Sequence, residues 1–94
     1  MAVATSRVPT AHASRYLQQL CKHWGHKFEV QFTPTDGRIQ MSAATLILDA
    51  DAEGLGLHLT ADAADLARME QVVAEHLKRF AFKEELAFDW TLQA

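Results

Sequence analysis

The sequence predicts an α+β fold, a two-layer sandwich in which one antiparallel sheet carries two helices on the same face. Three observations predict it. Two segments repeat apolar residues at helical spacing, several others alternate apolar and polar residues, and the elements run β-α-β-β-β-β-α-β. Two apolar-striped helices and a half-wet sheet bury their oily sides together when both helices cover one sheet face. The 94 residues make one domain, residues 1–94, with enough chain for a single core.

The elements follow in order. A first strand spans Ala2–Val8, on weak alternation. Thr10 after Pro9 is the expected N-cap of a helix over Ala11–Trp24. Ala13, Tyr16, Leu17, Leu20, Cys21 and Trp24 share one face of it, with Arg15, Gln18, Gln19 and Lys22 opposite. Gly25 is expected to end it in a left-handed conformation. Period two then takes over. Phe28, Val30 and Phe32 face inward between Lys27, Glu29, Gln31 and Thr33. Pro34-Thr35-Asp36-Gly37 reads as a turn whose glycine accepts a positive φ. Ile39 and Met41, then Leu46 and Leu48, continue the inward face. The Asp51-Ala52-Glu53-Gly54 turn leads into Leu55, Leu57 and Leu59. Four such strands in succession read as an antiparallel meander.

Asp62, with Asp65 three residues on, resembles a capping box at the start of the second helix. Its stripe is Leu66, Met69, Val73, Leu77 and Phe80. Phe82, apolar in a polar segment, reads as an anchor for the connection or for a dimer. A last strand points Leu86, Phe88, Trp90 and Leu92 one way.

Composition narrows the function classes. A net charge of −3 and a pI near 5.9 supply no basic field for a nucleic acid or an anionic membrane. No run approaches the roughly 18 apolar residues of a membrane span, and the first residues lack the apolar stretch of a signal peptide. One cysteine forms no internal disulfide. A soluble, cytoplasmic protein is the expectation. No nucleophile elbow or glycine-rich phosphate loop is present, so neither an enzyme nor a bound cofactor is expected.

Cys21, His23 and His26 crowd the end of the first helix. A left-handed Gly25 would fold His26 back toward Cys21. A nucleophilic thiol is disfavoured there, because the helix C-terminus opposes thiolate and the apolar stripe buries the side chain. Together with His76, at the edge of the second helix's stripe, these residues offer the nitrogen and sulfur ligands that zinc or iron prefers. Yet Cys-x-His-x-x-His matches no recognised ligand spacing, and His76 also suits a hydrogen-bonded core role. Asp49-x-Asp51-x-Glu53-Gly54 resembles the start of a calcium loop. Thr60 stands where the bidentate glutamate belongs, so a polar turn is the better reading. Trp24, Phe28, Phe32, Phe88 and Trp90 either pack or line a small-ligand pocket between sheet and helices. The outward face, Glu29, Gln31, Thr33, Arg38, Gln40, His58 and Thr60, is solvated or meets a protein partner. Open edge strands also invite a second copy, so a homodimer is an expected partner.

Ser14-Arg15-Tyr16-Leu17-Gln18-Gln19-Leu20-Cys21-Lys22-His23-Trp24-Gly25-His26-Lys27 resembles the signature helix of small bacterial proteins grouped as domain of unknown function 2218. The likeness continues at Gly37-Arg38-Ile39, at His76-Leu77-Lys78-Arg79-Phe80, and from Glu85-Leu86 to Trp90. Ala13 stands where the family pattern has proline, and Ala81 where it has glycine. The family carries no assigned activity. Its resemblance implies a setting beside siderophore-interacting flavoproteins, hence iron or siderophore metabolism. The element order is also similar to TATA-binding-protein halves and helix-grip ligand binders. The functional expectation is a non-enzymatic binding or accessory module for a partner protein or small ligand. The alternative is a transition-metal protein using Cys21, His23, His26 and His76.

Overall fold

A computed structural model describes residues 1–81 and 83–93. The elements are β1 (Ala2–Pro9), α1 (Ala13–Trp24), β2 (Glu29–Phe32), β3 (Asp36–Gln40), β4 (Ala44–Ala50), β5 (Gly54–Ala61), α2 (Ala63–Phe80) and β6 (Thr91–Gln93). Their order is the one the sequence predicts. The strands form one open antiparallel sheet, β2-β3-β4-β5-β1-β6. The meander runs β2 to β5. β1 then lies against β5 along its whole length, from Ala2↔Ala61 to Pro9↔Gly54, and β6 closes on its other side.

Both helices cover one face. The row Val30–Ile39–Leu46–Leu59–Ala4 crosses five strands on that side. Four of its residues are buried, and Val30, on the edge strand, is half-buried. α1 lies over β2 to β5, and α2 over β5 and β1. Every residue of the predicted α1 stripe is buried, and so is that of α2 except Phe80, which is half-buried. Each buried leucine contributes about 1.5–3 kcal/mol, so this single seam holds the domain. The chain exposes 5618 Å², close to the roughly 5,400 Å² that its mass predicts for a compact fold.

Several local expectations are corrected. Gly37 is no turn glycine. It sits inside β3 opposite Phe32 and Leu48, and no glycine in the described chain has a positive φ. It clears space for α1, since a Cβ there would lie 3.0 Å from Cys21 Sγ and 3.4 Å from Leu17 Cδ2. The turn is made by Thr33 instead. Its Oγ1 accepts from the Thr35 and Asp36 amides at 3.3 and 3.1 Å.

The helix ends differ too. α1 begins at Ala13, not Ala11, and His12 holds the N-cap position without a side-chain bond. Thr10 Oγ1 accepts from the His12 amide at 3.1 Å from outside the helix. Ala13 occupies the first helical position, where the family's proline would be favoured. Gly25 stays right-handed, φ −63° and ψ −18°, and its amide donates to the Cys21 carbonyl at 2.9 Å. Asp62 precedes α2 as expected, but no side-chain cap forms, and Asp65 pairs with Arg68 at 3.1 Å. Ala81 has φ −96°, so its site does not require glycine.

The last strand is the largest miss. Only Thr91–Gln93 pairs, from Thr5↔Thr91 to Val3↔Gln93. Phe88 and Trp90 alternate because they stack on each other, 6.4 Å between centroids, and not because of a ladder. The Asp89 amide donates to Ser6 Oγ at 3.2 Å, and Leu92 is exposed. Phe82 falls outside the described residues.

Candidate ligand cleft and histidine pair

The four residues singled out as metal ligands do not converge. Cys21 faces the sheet, buried under α1 against Gly37. His26 is exposed, because a right-handed Gly25 carries the chain away from Cys21. His23 and His76 do meet, with ring centroids 5.5 Å apart. Among the described residues, no three His, Cys, Asp or Glu side chains gather in a metal-binding arrangement. Asp49 and Asp51 of the calcium-loop lookalike are already engaged, Asp49 with Arg7 at 3.9 Å. Asp51 binds Arg7 at 2.5 Å and accepts from the Glu53 and Gly54 amides at 2.9 Å. The Arg7 guanidinium beside it holds the Asp51 carboxyl below its usual range.

Burial pushes the Cys21 thiol from 9.0 up to about 11. Two consequences are expected. At pH 8 the native thiol should react with a disulfide reagent about a hundredfold more slowly than the unfolded one. The unfolded thiol ionises near 9.0 and the folded one near 11, so ionisation favours unfolding between these values. Stability present below pH 9 should fall by up to about 2.7 kcal/mol as pH rises through 11. Alkaline urea titrations of the wild type and Cys21→Ala test this, and equal declines would refute it.

The five aromatics do not share one pocket. Phe88 and Trp90 pack together, with Lys78 Nζ 5.7 Å over Phe88, while Phe32 is exposed on the edge strand. Trp24 and Phe28 meet edge-to-face at 6.1 Å, and here a cleft of about 220 Å³ opens. It lies between the end of α1, the middle of α2 and the β3–β4 turn. Trp24, Met41 and Met69 form its buried base, and Phe28 and Val72 its half-buried sides. Lys27, Arg68, His76 and Ser42 stand around the mouth. Lys27 Nζ lies 5.7 Å over the Phe28 ring. His76 packs on Trp24 at 4.9 Å, with Nδ1 2.7 Å from the Val72 carbonyl. A carbonyl only accepts, so we assign the proton to Nδ1, which leaves Nε2 as an acceptor in the neutral ring. An apolar base beside Lys27 and an Arg68 already paired with Asp65 suits a small amphipathic anion.

The chain also builds a polar junction that periodicity does not reveal. Thr10 Oγ1 donates to Glu84 Oε1 at 2.7 Å, and His12 Nε2 stands 3.8 Å from Glu84 Oε2. The Thr10 hydroxyl holds the Glu84 carboxyl below its usual range. Burial, then the Glu84 carboxylate, push the Tyr16 hydroxyl up. α1 has no acid in its first turn. Glu84 supplies one from a distant segment, where the helix N-terminus favours negative charge. A separation of 74 residues hides this contact from any local pattern.

The family model described as an uncharacterized protein conserved in bacteria, DUF2218, matches residues 5–91. The chain belongs to this bacterial family. It is also similar to a solved structure, the NMR structure of PA4090 from Pseudomonas aeruginosa. The two are 43% identical with a TM-score of 0.80, over 97% of this chain and 96% of that one. No curated protein matches the chain. Among the described residues, no helix is long and apolar enough to cross a membrane. The segments that carry the DUF2218 resemblance come together at the cleft, Trp24 and Lys27 from one and His76 from another.

Proposed function

We propose that this protein is a binding module without catalysis, and that its cleft takes a small aromatic acid. The observation that carries this reading is the cleft itself: Trp24, Phe28 and Met69 offer a ring-sized apolar seat beside Lys27 and Arg68. Its volume of about 220 Å³ is below the 300–1,000 Å³ typical of drug-sized ligands. That size fits one ring with its acid group. The iron and siderophore setting implied by the family resemblance supplies ligands of this class, since phenolic acids are common metal-chelating units. The one nucleophile candidate, the buried Cys21 thiol, is driven away from thiolate, which supports binding over catalysis.

Titration with salicylate, followed by amide and side-chain NMR shifts, tests the proposal. Shifts should cluster at Trp24, Phe28, Met69 and His76. Lys27→Glu combined with Arg68→Glu should weaken binding by about tenfold or more, a loss of at least about 1.4 kcal/mol. Scattered shifts, or equal affinity in the double variant, would overturn it. A transition-metal role is supported by one observation, the 5.5 Å approach of His23 and His76. In that reading zinc shifts both imidazoles and His76→Ala abolishes the effect. Unmoved imidazoles remove it.

A further inference from the structure

We propose that the free edge of β2 pairs with the same edge of a second copy, making a reversible two-fold dimer with a continuous sheet. β2 is the outermost strand on its side, so one row of its backbone groups has no strand partner. The hydrogen bonds show which row. The Thr33 amide donates to the Asp36 carbonyl at 2.7 Å, in the register that pairs Gln31 with Arg38 and Glu29 with Gln40. Bonded and non-bonded pairs alternate along an antiparallel ladder. Gln31 and Glu29 therefore face β3, while Val30 and Phe32 turn their N–H and C=O groups to the open side.

The strand is short and carries Glu29, yet its outward-facing backbone groups are left open. Glu-Val-Gln-Phe holds no proline and no lysine, two of the devices that protect exposed strands. Its two apolar side chains are incompletely covered, with Val30 half-buried and Phe32 38% exposed.

The register is decided by a committed amide. Opposing Val30 to itself would set Phe28 against Phe32 of the second copy. The Phe28 amide already donates to the Trp24 carbonyl at 2.8 Å, so it cannot bond across the seam. Opposing Val30 to the second copy's Phe32 uses only free groups and forms two mutually bonded pairs. Gln31 then meets itself and Glu29 meets Thr33, so no like charges face each other. The sequence is self-complementary in that register. A four-residue edge lies at the small end of specific interfaces, so the dimer exchanges with monomer and depends on concentration.

Sedimentation equilibrium and amide hydrogen exchange, from micromolar to millimolar protein, test the proposal. The average mass should rise with concentration, and the Val30 and Phe32 amides should become protected while Gln31, already bonded to β3, stays unchanged. Val30→Pro removes the outward amide while sparing the β3 ladder, and should hold the protein monomeric. Phe32→Lys, at an exposed position, is the second variant and should do the same with the fold intact by NMR. A wild type that stays monomeric at millimolar concentration overturns the proposal. So does a dimer that persists in Phe32→Lys, or protection that appears at Thr91–Gln93 in place of β2.

Discussion

Replacing Leu59 with alanine is expected to cost about 3–4 kcal/mol. Leu59 is fully buried at the middle of β5, between Leu46 on β4 and Ala4 on β1. Both helices contact β5, so the side chain is enclosed by strands on two sides and helices above. Such a site collapses poorly around a void, which places the cost in the upper part of the usual range of about 2–5 kcal/mol. Domains of this size often have little more than about 5 kcal/mol in total. The variant should therefore keep only about 1–2 kcal/mol and populate the unfolded state measurably. Urea denaturation of both proteins reads this as a lower midpoint with an unchanged slope. A loss under about 1 kcal/mol would mean that the seam repacks around the missing side chain and that its enclosure is not rigid.

Gly37→Val should cost about 2–3 kcal/mol through the opposite fault, overpacking. Valine suits a strand, so local propensity favours the change. The site does not. Its Cβ alone would meet Cys21 Sγ at 3.0 Å, Leu48 Cδ1 at 3.3 Å and Leu17 Cδ2 at 3.4 Å. The two further methyl groups must push α1 off β3. Cys21→Ala removes the nearest obstacle, so the penalty of Gly37→Val should shrink by about 1 kcal/mol in that background. An equal penalty in both backgrounds would show that the glycine is kept for some other reason.

What was legible in the sequence is what depends on one face at a time. The α1 stripe from Ala13 to Trp24 and the alternation at Leu55, Leu57 and Leu59 each report burial directly, and each is buried as read. The errors fall where two distant parts decide together. Gly37 looks like a turn glycine because it follows Pro34-Thr35-Asp36, and only the helix lying on it shows why it has no side chain. Gly25 sits where a left-handed cap is common, yet the amides of Lys27 and Phe28 both reach the Trp24 carbonyl, at 3.0 and 2.8 Å, and hold the chain right-handed. Phe88 and Trp90 mimic strand alternation through ring stacking. The cleft was half legible. Trp24, Phe28 and His76 each stand out in the sequence, but not Lys27 or Arg68 beside them, since a lone cation on a helix face carries no signal until its neighbours are placed. The Thr10–Glu84 junction had no local signature at all.

The position of β1 also bears on how the chain acquires its structure. β1 is synthesised before the rest of its sheet, yet its partner is β5, through pairs such as Ala2↔Ala61 and Pro9↔Gly54. Closing so long a loop costs chain entropy before any contact rewards it, which slows the search. The hairpins from β2 to β5 can assemble from neighbours in sequence, whereas β1 must wait for their far strand to exist. During that interval β5 has an open flank and β1 an unused ladder. Domains built this way spend their most exposed moments just before such a long-range strand docks, when a neighbouring nascent chain competes for the same place.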